Sequence, residues 1–196
     1  MNSDDYYRGL LARHGSTFRA SDCGSIVSQQ ARFRVLASML THPHASVLDI
    51  GCGVGDFVEW MPTWPNGDLT LHLDCRYHGI DVVPEMIAAA QDKHPQARFS
   101  VGELMTHTLS AEYVVASGLF QFSPLSEALE RFQKMWSLCT KGMAVNFLRE
   151  TTSEVEAKMD PARWTGYALK ETPFVVLRAD YLPNDFTLFL YREPTR

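Results

Sequence analysis

Basic residues are scarce in this chain. Its 196 residues include 18 lysines and arginines against 23 aspartates and glutamates, which gives a formal net charge of −5. No run of basic residues is longer than two. Binding to the phosphate backbone of nucleic acids needs clustered lysine and arginine. The composition therefore argues against a nucleic-acid partner.

Long apolar runs and paired cysteines are missing as well. No stretch approaches the roughly 18 apolar residues of a membrane span, and the acidic start has no signal-peptide core, so we expect no membrane partner. The four cysteines, Cys23, Cys52, Cys75 and Cys139, lie far apart without a C-x-x-C pair. This spacing disfavours a disulfide framework and a zinc site, and it favours a reducing, cytoplasmic setting. The histidines show no metal-ligand spacing either, so we expect no metal.

An alternation of apolar strands and amphipathic helices fills most of the chain. Helices are predicted over 4–15 and 26–40, and they precede the first strand. The predicted strands are 47–50, a segment within 69–81, 97–102, 113–117, 142–148, 174–179 and 186–191. Helices are predicted over 56–61, 84–94, 125–139 and 153–161. This order predicts an α/β fold: a doubly wound, mostly parallel seven-stranded sheet with an antiparallel last strand, plus the N-terminal helices.

One domain is expected over 1–196, with 1–41 as a helical lid or cap and 42–196 as a Rossmann-like core. An extra hairpin before the second strand is a further possibility. In sheets of this kind ligands bind at the carboxyl ends of the strands, near the point where the strand order reverses.

The stretch VLDIGCGVGDF stands at that position. Gly51, Gly53 and Gly55 let the backbone turn sharply and approach a ligand closely, and a helix is predicted directly after them. A dinucleotide site would usually read G-x-G-x-x-G. Here the spacing is G-x-G-x-G with Asp49 in front, and an acid at that point favours a cationic ligand group over a phosphate.

Two more acids follow the next predicted strands. Asp81 ends the second strand, where a carboxylate can accept hydrogen bonds from both hydroxyls of a ribose. Glu103 lies just beyond the third strand, where an acid can meet an adenine amino group. The three strand ends would line a groove for an adenosine with a positively charged, amino-acid-like tail.

These motifs resemble those of the class I S-adenosylmethionine (SAM)-dependent methyltransferases, over about residues 34–148. The resemblance implies SAM as the cofactor, with Asp49 and the glycine turn at its methionine part, Asp81 at the ribose and Glu103 at the adenine. The segment SQQARF looks like one that some members fold over the amino-acid tail. The full implied set is Gln30, Arg34, Asp49, Gly51, Cys52, Gly53, Asp81, Val82, Gly102, Glu103, Leu104, Ser117 and Gly118.

Acceptor contacts are expected in the loop ASGLFQFSPL, after the fourth strand. It differs from the N-P-P-Y type of motif that the family uses for amide and nucleobase nitrogens, which favours a small-molecule acceptor. Phe120 and Phe122 are candidates for an apolar pocket or for ordinary core. Gln121, Asn146 and Tyr181 are the candidate catalytic residues, although Asn146 is equally consistent with a structural hydrogen bond.

Other functions stay open at this point. The fold also hosts SAM-using enzymes that do not methylate: they transfer the aminocarboxypropyl group or close it into azetidine-2-carboxylate, and they release methylthioadenosine. A nicotinamide dehydrogenase and an inactive SAM-binding partner subunit are further alternatives. Either a monomer or a homodimer is compatible with the sequence.

Overall fold

A computed structural model of the chain describes residues 3–42, 44–61, 76–120, 122–149 and 159–194. The helices are α1 (Ser3–His14), α2 (Ile26–Ala37), α3 (Pro84–Lys93), α4 (Leu125–Leu138) and α5 (Pro161–Glu171). The strands are β1 (Val47–Ile50), β2 (Tyr77–Asp81), β3 (Arg98–Val101), β4 (Ala111–Ser117), β5 (Cys139–Leu148), β6 (Val175–Arg178) and β7 (Asp185–Tyr191). Short 3-10 helices cover Phe18–Ser21, Asp56–Trp60 and Leu104–Thr106.

The seven strands form one sheet in the order β3-β2-β1-β4-β5-β7-β6. Strands β1 to β5 pair in parallel, whereas β7 pairs antiparallel with both β5 and β6. The predicted fold class is therefore confirmed. The strand order reverses beside β1, whose neighbours are β2 and β4, so the glycine turn that follows β1 lies at the topological switch point.

The sheet is covered on both faces, which explains its near-continuous apolar strands. All four residues of β1 are buried, as are six of the seven in β7. One apolar cluster joins the strands to α4 and α5, and a second joins them to α2 and α3. Phe120 belongs to the first cluster, where its ring stacks on Phe147 and Trp164 at 5.5 and 5.6 Å. Phe120 therefore belongs to the core, whereas Phe122 is not part of this apolar cluster.

Two helices differ from the prediction. The segment after the glycine turn forms a 3-10 helix that ends at Trp60. Near the C-terminus a helix begins at Pro161 instead of ending there, because Asp160 accepts a hydrogen bond from the Ala162 amide and proline suits the first turn. The rest of the helix predicted over 153–161 and the extra hairpin fall within 150–158 and 62–75, outside the described residues.

The N-terminal helix α1 packs over the carboxyl edge of the sheet. Tyr7 and Leu11 contact an apolar cluster that includes Val54 and Met86, and Arg8 pairs with Glu85 at 2.9 Å. The helix therefore lies where a lid would lie, although the division into a lid and a core stays a prediction. Within the described ranges, no helix is long and apolar enough to cross a membrane.

Candidate functional site

A cavity of about 580 Å³ opens at the carboxyl ends of β1, β2, β3 and β4, beneath α1 and α2. Eleven of the thirteen residues predicted to bind the donor line it. They are Asp49, Gly51, Cys52, Gly53, Asp81, Val82, Gly102, Glu103, Leu104, Ser117 and Gly118. The structure thus brings together residues that are separated by up to 69 positions in the chain.

The backbone conformation of the glycine turn requires glycine. Gly51, Gly53 and Gly55 have φ angles of 69°, 54° and 78°, all in the left-handed region. The amides of Gly51 and Cys52 both donate to the Ile80 carbonyl, at 2.9 and 3.0 Å. A Cβ atom on Gly55 would lie only 2.7 Å from the Phe99 ring. Only glycine combines this backbone with this close packing.

Asp81 ties the glycine turn to the end of β2. One carboxylate oxygen accepts from the Gly53 amide and the other from the Val83 amide, both at 2.9 Å. Burial raises the pKa of Asp81, and these backbone hydrogen bonds oppose that shift. Each oxygen keeps a further lone pair, so the carboxylate can accept hydrogen bonds from a ribose while its orientation stays fixed.

Asp49 has a different environment at the end of β1. It is buried, and its carboxylate accepts a hydrogen bond of 2.5 Å from the Tyr77 hydroxyl. Burial is the main cause that raises the pKa of Asp49 to about 7, with Asp81 and Asp56 adding to it. A cationic group in the cavity would favour the charged form of this carboxyl group.

The ends of β3 and β4 complete the predicted donor-binding surface. The Gly102 amide donates to the Asp81 carbonyl at 3.0 Å, which holds the two strand ends together. Glu103 caps the following 3-10 helix through the Met105 amide, and the largely buried Leu104 forms part of the cavity wall. Gly118, with φ of 72°, turns the chain away after β4.

The α2 helix contributes residues other than those predicted. Gln30 and Arg34 are exposed and lie outside the cavity wall, where the Arg34 guanidinium stacks 5.7 Å from the Trp60 ring. Gln29 and Arg32 line the cavity instead. The helix buries the face that carries Gln29, Phe33 and Leu36. This apolar spacing is the sequence signal that places Arg32, rather than Arg34, at the cavity.

Arg32 is held by a buried polar network. Its guanidinium donates to both oxygens of Asp185, at 2.5 and 3.3 Å. The Asn146 amide donates to Asp185 and to the Tyr181 hydroxyl, at 3.2 and 2.8 Å. Tyr181 also shares a 2.8 Å hydrogen bond with Thr187.

Two of the three candidate catalytic residues, Asn146 and Tyr181, are thus not brought to the cavity. Asn146 and Tyr181 lie behind its wall, because their polar atoms serve the network that holds Arg32. Gln121 falls outside the described residues. The part of the chain that is described places Phe122 at the cavity, which agrees with the pocket alternative for this ring, and the α1 residue Tyr7 lines the cavity as well.

The model of a family described as "Methyltransferase domain" matches residues 47–142, which run from the start of β1 into the first part of β5. The predicted resemblance to the class I SAM-dependent methyltransferases is thus confirmed over this part of the chain. The chain is 32% identical to trans-aconitate 2-methyltransferase of Rhizobium meliloti (strain 1021) over 93 residues, which are 46% of the chain and 33% of that relative. The chain therefore covers about a third of the length of this curated relative.

Solved structures share the fold of this chain. Magnesium protoporphyrin IX methyltransferase from Synechocystis PCC 6803 with bound SAH has a TM-score of 0.68 at 16% identity, over 96% of this chain and 94% of that one. The DhpI–SAH complex has a TM-score of 0.69 at 16% identity, over 98% and 96%. At such identities the likeness shows the fold alone.

Proposed function

We propose that the protein is a SAM-dependent methyltransferase that acts on a small-molecule acceptor. The observation that carries the proposal is the single cavity wall formed by the glycine turn, Asp49, Asp81 and Glu103. These groups come from three successive strand ends, in the order that a methionine tail, a ribose and an adenine require. On the sequence argument alone, we further propose a cytoplasmic protein that is a monomer or a homodimer.

Each part of the wall suits one part of the donor. Asp49 would pair with the ammonium group, and the two fixed oxygens of Asp81 would accept the ribose hydroxyls. Val82 and Leu104 would flank the adenine, with Glu103 toward its amino group. Arg32 would face the carboxylate of the tail, since its guanidinium lines the cavity and Asp185 fixes its orientation.

When bound, SAM supplies a methyl group on a cationic sulfur, which is a good leaving group. The protein therefore contributes mainly by holding the acceptor in line with that methyl group and by excluding water. Helix α1 and the loop after β4 close over the carboxyl edge of the sheet and suit this task. A general base is needed only for some acceptors.

The size of the cavity supports a small acceptor. Its volume of about 580 Å³ lies within the range usual for small-molecule sites. The curated relative is named for the small molecule trans-aconitate. The loop after β4 also lacks the N-P-P-Y pattern of amide and nucleobase acceptors.

Calorimetry with SAM, S-adenosylhomocysteine and NAD tests the donor. We expect both sulfur nucleosides to bind and NAD not to bind. The variant Asp81→Asn should weaken both by about tenfold or more, since a charged acceptor of hydrogen bonds is lost. The control Asp92→Asn alters an exposed carboxylate on α3 and should change nothing. Tight NAD binding without SAM binding would overturn the proposal.

A further inference from the structure

An aromatic cluster borders the cavity beyond the end of β4. Phe122 follows that strand, and its ring centroid lies 5.5 Å from that of Tyr6 and 6.0 Å from that of Tyr7. The two tyrosine rings are themselves 5.5 Å apart, nearly edge to face. Tyr7 and Phe122 line the cavity. They lie on the side left for the acceptor, because the ends of β1 to β3 serve the donor.

Negative charge dominates the described wall of the cavity. Seven carboxyl groups and two arginines line it; Asp56 is paired with Lys93 and burial raises the pKa of Asp49 to about 7, so five carboxylates remain. Near the aromatic cluster, Asp22 accepts a 2.8 Å hydrogen bond from the Tyr6 hydroxyl. Glu127, on α4, has no ion pair within the described part of the chain. Carboxylates beside aromatic rings favour a cation, because both attract positive charge.

The two arginines do not reverse this balance. Arg32 is paired with Asp185, so most of its charge is compensated. Arg131 donates to the Ser123 hydroxyl at 2.9 Å and stands one helical turn from Glu127. One uncompensated guanidinium therefore faces several carboxylates. An acceptor with two or three carboxylates would be repelled here more strongly than it is attracted.

We propose that the acceptor is a small amine, held by the Tyr7 and Phe122 rings and by the carboxylate of Glu127. The proposal rests on the methyltransferase function proposed above. An amine acceptor differs from trans-aconitate, the tricarboxylate for which the relative is named.

The chemistry balances with an amine. The ammonium form first releases one proton to water at the mouth of the cavity. The nitrogen lone pair then forms the bond to the methyl carbon, while the electron pair of the carbon–sulfur bond passes to sulfur and cancels its positive charge. The product is a methylated ammonium ion, which the rings and Glu127 stabilise by the same interactions as the incoming cation.

Three probes with the same ring test the polar preference: phenethylamine, phenethyl alcohol and hydrocinnamate. Each is titrated calorimetrically into protein saturated with S-adenosylhomocysteine. We expect the amine to bind about tenfold more tightly than the carboxylate, with the alcohol between them. Equal binding, absence of any preference, or tighter binding of the carboxylate would overturn the proposal.

Matched variants locate the preference. Glu127→Gln should raise the Kd of phenethylamine about fivefold or more and leave that of S-adenosylhomocysteine unchanged. The control Glu130→Gln changes an exposed carboxylate on the same helix, outside the cavity, and should alter neither. Phe122→Leu keeps an apolar side chain but removes the ring, so it should weaken the amine more than the alcohol. Equal losses for both probes would contradict a cation-binding ring.

Label transfer separates this proposal from the function beneath it. A metabolite extract is divided into cationic, neutral and anionic fractions and is incubated with protein and methyl-labelled SAM. We expect the label in the cationic fraction. Label only in the anionic or neutral fraction would overturn the amine acceptor and leave the methyltransferase intact. Release of methylthioadenosine without label transfer would overturn both.

Discussion

Two neighbouring aspartates at the carboxyl edge of the sheet have contrasting roles. Asp81 receives two backbone hydrogen bonds, and these favour its charged form. The Asp49 carboxylate accepts a hydrogen bond from the Tyr77 hydroxyl, and burial raises its pKa to about 7. Backbone hydrogen bonds therefore support the charged form of Asp81 against the burial that raises its pKa, whereas Asp49 needs a cation to become fully charged.

A pH dependence follows from the raised pKa of Asp49. In the ligand-free protein, this group stabilises the fold below its unfolded pKa of about 4, and that contribution is lost as the pH rises to about 7. The ammonium group of SAM reverses this preference, so SAM binding should release a proton and tighten as the pH rises through 7. At pH 6 the release should approach one proton, since the carboxyl is about nine-tenths protonated there.

Calorimetry in buffers of different ionisation enthalpy measures that proton release. The control is Asp49→Asn, which keeps an acceptor for the Tyr77 hydroxyl but cannot titrate. Its SAM affinity should be weaker and should no longer vary with pH between 5 and 8. Unchanged proton release in this variant would assign the titration to another group.

Gly55 offers a test of the turn itself. Alanine there would combine a φ of 78° with a Cβ atom 2.7 Å from the Phe99 ring. We expect Gly55→Ala to lower the free energy of unfolding by about 2–4 kcal/mol, as the sum of backbone strain and overpacking. Gly24→Ala, where a Cβ meets nothing within 4 Å, should change it by less than about 0.5 kcal/mol. Urea denaturation of both variants measures the difference, and equal stabilities would refute the role of Gly55.

The residues at the strand ends were predictable from the sequence. An acid or a glycine directly after a buried parallel strand must lie at the carboxyl edge of the sheet. Side chains on α2 were harder. The prediction chose Gln30 and Arg34, but the helical period brings Gln29 and Arg32 to the cavity. The spacing of Phe33 and Leu36 determines which face of α2 is buried. This spacing was a better guide than the resemblance of the short segment SQQARF to other members of the family.

At the scale of elements, an ion pair adds to the apolar packing that attaches α2 to the sheet. The Arg32 and Asp185 side chains are only 19% and 3% exposed. Removing one partner would leave a buried charge uncompensated. The polar residues Asn146 and Tyr181, which the sequence suggested for catalysis, support this attachment instead. The sequence alone does not distinguish a catalytic amide from a structural amide in a buried strand.

The variants Arg32→Met and Arg34→Met test this assignment on one helix. Arg32→Met should lower the free energy of unfolding by about 3 kcal/mol, because Asp185 stays buried without its partner. Arg34→Met alters an exposed side chain and should have an effect within about 0.5 kcal/mol. The double variant Arg32→Met/Asp185→Asn should recover part of the loss, since the uncompensated charge is removed. Equal effects of the two single variants would contradict the observed face of α2.

The helix α5 shows a different limit of sequence reasoning. Its sequence, PARWTGYALKE, begins with proline, which marks both helix ends and helix starts. The prediction took Pro161 as an end. The cap by Asp160 and the buried side chains of Trp164 and Ala168 make it a start. The four-residue spacing of Trp164 and Ala168 was the sequence signal for a helix after the proline.

For the whole molecule, the fold class followed from the alternation of strands and helices and from the terminal strand pair, since parallel crossovers are right-handed and a short connection joins antiparallel strands. The donor side of the cavity followed from that topology. The acceptor side did not, because its residues come from distant segments: Tyr7 and Asp22 near the N-terminus, and Phe122 and Glu127 after β4. Their convergence depends on how α1 and α4 pack.

The nucleoside released from SAM tests the central claim most directly. Protein, SAM labelled in its methyl group and a metabolite extract are incubated together, and the products are identified by mass. Methyl transfer predicts S-adenosylhomocysteine in step with a labelled acceptor, and Asp81→Asn should slow both equally. Methylthioadenosine as the product, with the aminocarboxypropyl group cyclised or transferred and no label on any acceptor, would contradict the account.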